Sequence, residues 1–175
     1  LSGGKPVVEL SGTEALWGAL QQLGQESAAL HGEFQGTLVV RVPVTPDASV
    51  PSPLLSDMAH VHVVSPSSAA DAGVMLKGAL GRRGVTVLLE PLTILAEAGG
   101  LAGSDDLGKA NTVQDGDHVT IGAWGAGVAA ALKASRTLRA EGIEAEVIDL
   151  RSLAPLDAAT LSASVHKTGR LILVD

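Results

Sequence analysis

Short apolar runs alternate with segments of helical periodicity along most of the chain. The runs are of strand length, and Leu or Val recurs at helical spacing between them. The pattern predicts strands at 6–10, 37–42, 60–64, 85–89, 118–123, 145–150 and 170–174. It predicts helices at 13–30, 68–80, 127–141 and 157–167. Strands that alternate with helices of this length are typical of βαβ units, so we expect an α/β fold with parallel sheets.

Capping residues mark several of the predicted helix ends. Ser68 is placed to cap the helix that follows it, and Asp71 lies where the positive end of that helix favours a carboxylate. Gly142 ends the third predicted helix. Asp157 begins the last helix and Gly169 ends it.

Two stretches interrupt the pattern and divide the chain. The segment 43–53 contains four prolines among small polar residues, which predicts a loop because proline cannot continue a hydrogen-bonded ladder. Residues 95–110 contain glycines and an acidic pair without a sustained period, which predicts a linker. We therefore expect two domains, 1–94 and 111–175. The last predicted strand lacks the helices that cover a parallel sheet, so we expect the second domain to be incomplete.

Composition argues against several classes of partner. The formal net charge of −7 opposes binding to nucleic acid, which requires clustered Lys and Arg. The chain has no Cys, which agrees with a cytoplasmic protein. No apolar run approaches the roughly 18 residues of a membrane span, so we expect no membrane partner. Because Leu1 is not Met and a strand follows almost at once, we also expect a missing upstream segment.

An ordered set of motifs in the second half of the chain resembles one family. The motifs are Gly108-Lys109-Ala110, Asp115-Gly116-Asp117-His118-Val119-Thr120-Ile121, Gly125, Glu141-Gly142-Ile143, Glu146-Val147-Ile148-Asp149-Leu150-Arg151-Ser152-Leu153, Pro155-Leu156-Asp157 and Lys167-Thr168-Gly169-Arg170-Leu171. Their order and spacing are similar to those of the β subunits of 2-oxoacid dehydrogenases, which are relatives of transketolase. Sparser landmarks in the first half resemble the pyrimidine-binding domain of that family.

The resemblance implies an architecture, a reaction and partners. It implies a pyrimidine-binding-type domain followed by the first part of a transketolase C-terminal-type domain. Such subunits take part in decarboxylation of a 2-oxoacid on thiamine diphosphate, with Mg²⁺, and in acyl transfer to a lipoyl carrier. The partners would be an α subunit and a lipoyl-bearing acyltransferase, within a homo- or hetero-oligomer. We expect this chain alone to bind no cofactor and to be inactive.

The family's cofactor-contacting positions coincide with Ser11, Thr13 and Ala15. These residues can form a wall of the pocket, but they lack the aromatic ring that stacks on the pyrimidine in the family. The segment that matches the family's His-Ser-Gln reads Val50-Pro51-Ser52, and the activating glutamate of the family lies before the region where this sequence begins. Glu9 matches a different landmark. We therefore predict no catalytic residue and no metal ligand in this chain.

Other candidate residues have simpler interpretations. The family's monovalent-cation site matches Gly81-Arg82-Arg83-Gly84, where a guanidinium repels a cation, and we interpret the arginine pair as a solvated turn. His60, beside an apolar strand, is interpreted as a packed or capping residue, and the other four histidines are assigned no role. Residues 122–127 could hold a phosphate at a helix N-terminus, but a tight strand-to-helix turn explains them without a ligand.

Three functional hypotheses follow from these observations. The leading one is a β subunit that acts beside an α subunit. The second is a catalytically silent assembly or regulatory module of the same family, which the missing motifs favour. The third is an unrelated nucleotide-binding α/β domain, against which the glycine spacing argues.

Overall fold

A computed structural model describes residues 4–16, 18, 19, 22, 36–45, 61–97, 99–101 and 103–174. Within these ranges the chain forms two mainly parallel sheets with helices between the strands. The strands are β1 (Val7–Glu9), β2 (Thr37–Val44), β3 (Val61–Val64), β4 (Gly84–Pro91), β5 (Asn111–Gln114), β6 (Val119–Ala123), β7 (Ala145–Asp149), β8 (Ser152–Ala154) and β9 (Leu171–Val174). The helices are α1 (Ala69–Gly81), α2 (Leu92–Leu95), α3 (Gly127–Ala140) and α4 (Ala158–Thr168).

The first sheet has the strand order β1-β2-β4-β3-β8. Its first four strands run parallel, and β4 is buried along its whole length because elements cover both of its faces. One face packs into a core with Leu16, and the other packs against Met75 of α1 and against Leu107 of the segment before β5. This burial explains why β4 reads as a continuous apolar run.

The second sheet has the strand order β5-β7-β6-β9. Strands β6, β7 and β9 are parallel, and α3 packs on them through Val128 and Ala131. On the other side, buried hydroxyls join α4 to β6: Thr120 Oγ1 lies 2.7 Å from Ser164 Oγ and 2.6 Å from Thr168 Oγ1. Ser164 also donates to the buried carboxylate of Glu146. The alternation of strand and helix predicted from the sequence is confirmed.

The predicted helix ends are confirmed in detail. Ser68 Oγ accepts a hydrogen bond from the backbone N–H of Asp71, and an Asp157 side-chain oxygen accepts one from the N–H of Thr160. Gly142 and Gly169 have φ values of +80° and +71°, a region in which a residue with a Cβ is strained. The predicted turn at 122–127 is also present, with Gly127 N donating to Trp124 O.

The prediction that segment 43–53 is a loop from its first residue was wrong, because β2 continues through Pro43 to Val44. Val39 and Arg41 make their backbone hydrogen bonds toward β1, so the nitrogen of Pro43 faces the same side. Strand β1 ends at Glu9, and no ladder partner in the described part of the chain faces Pro43 there. A proline at an open edge loses no ladder hydrogen bond. Residues 46–60, which include the rest of this predicted loop, lie outside the described residues.

Two strands that the sequence pattern did not predict make both sheets mixed. β8 comes from the second half of the chain, yet it pairs antiparallel with β3 in the first sheet. β5 pairs antiparallel with β7. The predicted α/β fold class with mainly parallel sheets is confirmed, and β8 and β5 each add one antiparallel strand at a sheet edge. Because β7 lies in the second sheet and β8 in the first, the segment between them lies at the boundary of the two sheets.

The interpretation of the arginine pair as a solvated turn was wrong for Arg82. Its Nη2 lies 2.9 Å from His62 Nε2, and its backbone carbonyl accepts a hydrogen bond from Thr37 Oγ1 at 2.7 Å. Arg82 is only partly exposed. The guanidinium therefore contacts β3 and not only solvent. His60, which was interpreted above as a packed or capping residue, lies outside the described residues, as does most of the helix predicted at 13–30.

Candidate functional site

A polar cleft lies where the two sheets meet. Its volume is about 330 Å³, at the lower end of the range of ligand pockets. Its walls come from the start of α1, the segment before β5, the end of β7 and the turn into β8. Side chains in this wall carry two carboxylates, two cationic groups and several hydroxyls. The charged residues are Asp71, Lys109, Asp149 and Arg151.

The guanidinium of Arg151 connects these walls. Arg151 is 4% exposed, and each of its five N–H groups has an acceptor within 3.2 Å. Nε and Nη2 donate to Asp71 Oδ1 at 3.1 and 2.8 Å, while Nη2 and Nη1 also donate to the carbonyls of Ser104, Asp106 and Lys109. One side chain on the turn into β8 thereby binds α1 and the segment before β5. Burying a guanidinium costs little only when it is paired and fully hydrogen-bonded, as it is here.

The backbone of Arg151 is also held between the sheets. Its φ is +54°, in the left-handed region, which costs a residue with a Cβ of order 1–3 kcal/mol. Its carbonyl accepts a hydrogen bond from Ser65 N at 2.8 Å, and its amide donates to Asp149 Oδ1 at 3.0 Å. The surrounding contacts therefore hold Arg151 in a conformation that a free chain disfavours.

Asp149 is another buried ionisable group of the cleft, in addition to Asp71 and Arg151. It is 2% exposed, and Ser67 Oγ donates to its Oδ2 at 2.6 Å. Burial, which disfavours the charged form, raises the pKa of Asp149 to about 6. That value is the net of several effects. The negative charge of Asp71 also acts to raise the pKa of Asp149, whereas the hydrogen bonds from Ser67 and from the Arg151 amide act to lower it. Asp149 therefore titrates near neutral pH while it bridges two parts of the chain.

A near-neutral pKa in a cleft is a common property of catalytic acids and bases. Here both oxygens of Asp149 already accept hydrogen bonds from the protein, so the group is positioned to join the sheets. Asp71 Oδ2 is buried without a hydrogen-bond partner in the described part of the chain, which leaves one polar atom unsatisfied beside the cleft. No three His, Cys, Asp or Glu side chains among the described residues are grouped to hold a metal ion.

A close backbone approach adds a second contact between the sheets. A Cβ at Gly125 would lie 2.6 Å from Ser65 Oγ and 3.2 Å from Pro91 Cγ, and the φ of Gly125 is +52°. The turn between β6 and α3 thus lies directly against the ends of β3 and β4. Both the position and the conformation require glycine.

The predicted cofactor-binding residues lie away from this cleft. Ser11 and Ala15 are exposed and Thr13 is partly buried, in the turn and helix that follow β1. Nearby, the exposed Glu9 is paired with Arg41 at 3.1 Å, and Arg41 also binds the buried Glu90 at 2.7 Å. The role of the three predicted residues stays a prediction.

The cleft was not predicted from the sequence, although all four of its charged residues are named above. Asp71 was assigned only to the helix dipole, and Asp149 and Arg151 were read as parts of a family motif. The signal that could have found them is an Asp-Leu-Arg sequence after a buried strand, since buried charges require partners. Nothing in the sequence indicated that the partner of Arg151 would be a residue 80 positions earlier.

Comparison with known proteins agrees with this architecture. Residues 108–175 match the family described as transketolase, C-terminal domain. Over 99% of its length the chain is 32% identical to acetoin:2,6-dichlorophenolindophenol oxidoreductase subunit beta of Cupriavidus necator, of which it covers 55%. It is 31% identical to pyruvate dehydrogenase E1 component subunit beta of Bacillus subtilis, over 99% of this chain and 58% of that protein. The chain spans about half the length of the curated relatives it matches.

A solved structure supports the fold. A split gene transketolase, an inactive beta4 tetramer, superposes with a TM-score of 0.70 at 23% identity. The match covers 93% of this chain and 62% of that chain, so it includes both sheets.

Proposed function

We propose that this chain serves as the β-subunit part of a 2-oxoacid dehydrogenase, because it is similar to acetoin oxidoreductase and pyruvate dehydrogenase β subunits over 99% of its length. The reaction would be the oxidative decarboxylation of a 2-oxoacid, with acyl transfer to a lipoyl carrier. In that assignment residues 1–94 are the later part of a pyrimidine-binding-type domain. Residues 95–110 are a linker, and residues 111–175 are the first part of a transketolase C-terminal-type domain.

One observation carries the proposal. The similarity to β subunits extends over 99% of the chain and therefore includes both sheets and the cleft between them. An isolated transketolase C-terminal domain would match only the second sheet. The buried Arg151 network supports the same assignment, because it fixes the two sheets in one arrangement.

Thiamine diphosphate supplies the carbanion chemistry of this reaction when it is bound. The described residues at the matching positions do not fit this cofactor: Ser11 and Thr13 offer hydroxyls, and Ala15 offers a methyl group. None presents a ring for the pyrimidine or a carboxylate for its ring nitrogen. We therefore assign these three residues to a pocket wall and derive no catalytic step from this chain. The cofactor and its Mg²⁺ would be held in the complete complex.

The proposed partners follow from the same family. An α subunit would supply most of the diphosphate and Mg²⁺ contacts, and a lipoyl-bearing acyltransferase would receive the acyl group. We propose a cytoplasmic location, as the sequence composition suggests. No described helix is long and apolar enough to cross a membrane.

The test is association with an α subunit encoded in the same genome. The two chains are mixed at tens of micromolar and analysed by size-exclusion chromatography with light scattering, with an unrelated α/β protein of similar size as the matched control. We expect a joint peak that contains both chains and whose mass exceeds that of either chain run alone. Separate peaks at every ratio would contradict the proposal.

A catalytically silent assembly or regulatory module is the second candidate. It is favoured by the sequence at 11–15, which lacks the stacking ring, and by Arg82, whose guanidinium bonds to His62 where the family binds a cation. Turnover separates the two candidates. A joint peak that reduces a dye with a 2-oxoacid and thiamine diphosphate indicates an enzyme, and a joint peak without turnover indicates the silent module.

A further inference from the structure

The contacts of Asp149 link two segments that are distant in sequence, the end of β7 with the turn after it and the segment before α1. Its Oδ2 receives the Ser67 hydroxyl from the segment before α1, and its Oδ1 receives the Arg151 amide from the turn into β8. Arg151 in turn bonds to Asp71 on α1. Any change in the charge of Asp149 therefore acts on the contact that joins the two sheets.

Among the described residues, three charged groups lie near Asp149. Asp71 faces it from α1 and Arg151 from the turn into β8, while Lys109 lines the same cleft from the segment before β5. Lys109 Nζ lies 3.7 Å from Asp157 Oδ2, so part of its charge is already balanced. The guanidinium N–H groups of Arg151 all donate to other acceptors, and none of them donates to Asp149.

The hydrogen bonds at Asp149 are compatible with a proton. With Oδ1 accepting from the Arg151 amide, a proton on Oδ2 would donate to Ser67 Oγ across the same 2.6 Å. After deprotonation the hydroxyl donates instead, but the buried carboxylate then lies beside that of Asp71. The closed cleft thus accommodates the neutral carboxyl better than the anion.

We propose that Asp149 is a proton-dependent switch of the junction between the two sheets, closed when its carboxyl is protonated and prone to open when the carboxyl is ionised. Opening here means that Ser65 and Ser67 separate from Arg151 and Asp149, so that water reaches the cleft. This property does not depend on the proposed enzymatic function. It follows from the burial of one carboxyl at a contact between distant segments.

The direction and size of the effect follow from linkage. The pKa of Asp149 is about 6 in the closed form and takes its ordinary value of 3.8 once water reaches it. A group whose pKa is raised in the closed form favours closing at low pH, and that preference is lost as pH rises from 3.8 to 6. The opening equilibrium should increase about 100-fold over the whole window, and about tenfold between pH 5 and pH 7.

Hydrogen exchange of the full chain, corrected for intrinsic exchange rates, measures this opening. The amides of Ser65 and Arg151 report on the junction because they donate to Arg151 O and Asp149 Oδ1. We expect their protection to fall about tenfold between pH 5 and pH 7. The amide of Thr120, which donates to Arg170 O within the second sheet, is the internal reference and should not change. Equal protection of the junction amides at both pH values would overturn the proposal.

Two variants test whether the pH response of the junction comes from Asp149. Asp149→Asn keeps both hydrogen bonds without the charge, so the junction should stay protected at both pH values. Asp117→Asn removes an exposed carboxylate from the same half of the chain and should leave the wild-type response unchanged. Retention of the response in Asp149→Asn would refute the switch.

If Asp149→Asn does not fold, a second comparison decides. Ser67→Ala removes a donor that lowers the pKa of Asp149, so the midpoint of the response should move above pH 6. Carboxyl carbon NMR of the unmodified chain gives the same answer without a variant. A titration of Asp149 near 3.8 would overturn the proposal.

Discussion

At the scale of single residues, Arg151 holds the junction between the two sheets together. Its guanidinium is buried and fully hydrogen-bonded, so its removal leaves Asp71 as an unpaired buried carboxylate and three carbonyls without donors. Breaking a buried ion pair by removing one partner costs about 3–5 kcal/mol. We expect Arg151→Ala to lower the free energy of unfolding in urea by that amount.

Arg139→Ala is the matched control for this prediction. Arg139 pairs with Glu144 at 2.9 Å, but both side chains are about half exposed, so its loss should cost less than about 1 kcal/mol. Equal losses for the two variants would show that the Arg151 network does not stabilise the junction.

Residue roles were the least predictable part of the molecule. The capping functions of Ser68 and Asp157 follow from local sequence, because a cap bonds to an amide within three residues. The partners of Arg151 and Asp149 lie up to 82 positions away, and local sequence carries no information on such pairs. The site residues predicted from family resemblance, Ser11, Thr13 and Ala15, remain to be tested.

At the scale of elements, the packing of residues 103–108 on α1 depends on Gly78. A Cβ at Gly78 would lie 2.3 Å from the carbonyl oxygen of Asp105, and backbone cannot move aside as a flexible side chain can. In an open helix position, Gly→Ala stabilises by roughly 0.5–1 kcal/mol. We expect Gly78→Ala instead to destabilise by about 1–3 kcal/mol, the usual cost of overpacking.

Gly81→Ala serves as the control in the same helix, since nothing lies within 4 Å of its Cβ position. Chemical denaturation should show a lower free energy of unfolding for Gly78→Ala. For Gly81→Ala the free energy of unfolding should rise or stay unchanged. A Gly78→Ala variant as stable as Gly81→Ala would contradict the described packing of this segment.

Periodic elements were predictable and short antiparallel strands were not. Strands β4, β6 and β7 and helices α1, α3 and α4 carry apolar runs or caps that identify them. β8 has three residues and forms only because β3 lies beside it, and β5 is polar and largely exposed. Pro43 was read as a strand breaker, but its position at an open edge removed the penalty.

At the scale of the whole molecule, the edge strand β9 predicts association. Leu171, Ile172 and Leu173 are 42%, 49% and 58% exposed, and within the described part of the chain β9 pairs on one side only, with β6. An apolar edge strand with exposed faces favours pairing with another chain. We expect a dimer or larger assembly by light scattering at high concentration, and a monodisperse monomer would count against this.

A pair of charge substitutions localises the association. Leu173→Lys should shift the distribution toward monomer, because a charge on the exposed strand opposes pairing. Leu101→Lys introduces the same charge at a residue that is 71% exposed elsewhere and should leave the assembly unchanged. Equal behaviour of the two variants would place the contact away from β9.

The most direct test of the β-subunit assignment is calorimetric titration of thiamine diphosphate with Mg²⁺ into this chain, into the α subunit, and into their mixture. The chain alone should show no binding, because the residues at the cofactor-contacting positions, Ser11, Thr13 and Ala15, offer neither ring nor carboxylate. The mixture should bind more tightly than the α subunit alone, since each subunit contributes part of the cofactor's surroundings. A micromolar dissociation constant for the chain alone, about −8 kcal/mol, or a mixture no better than the α subunit, would contradict the account.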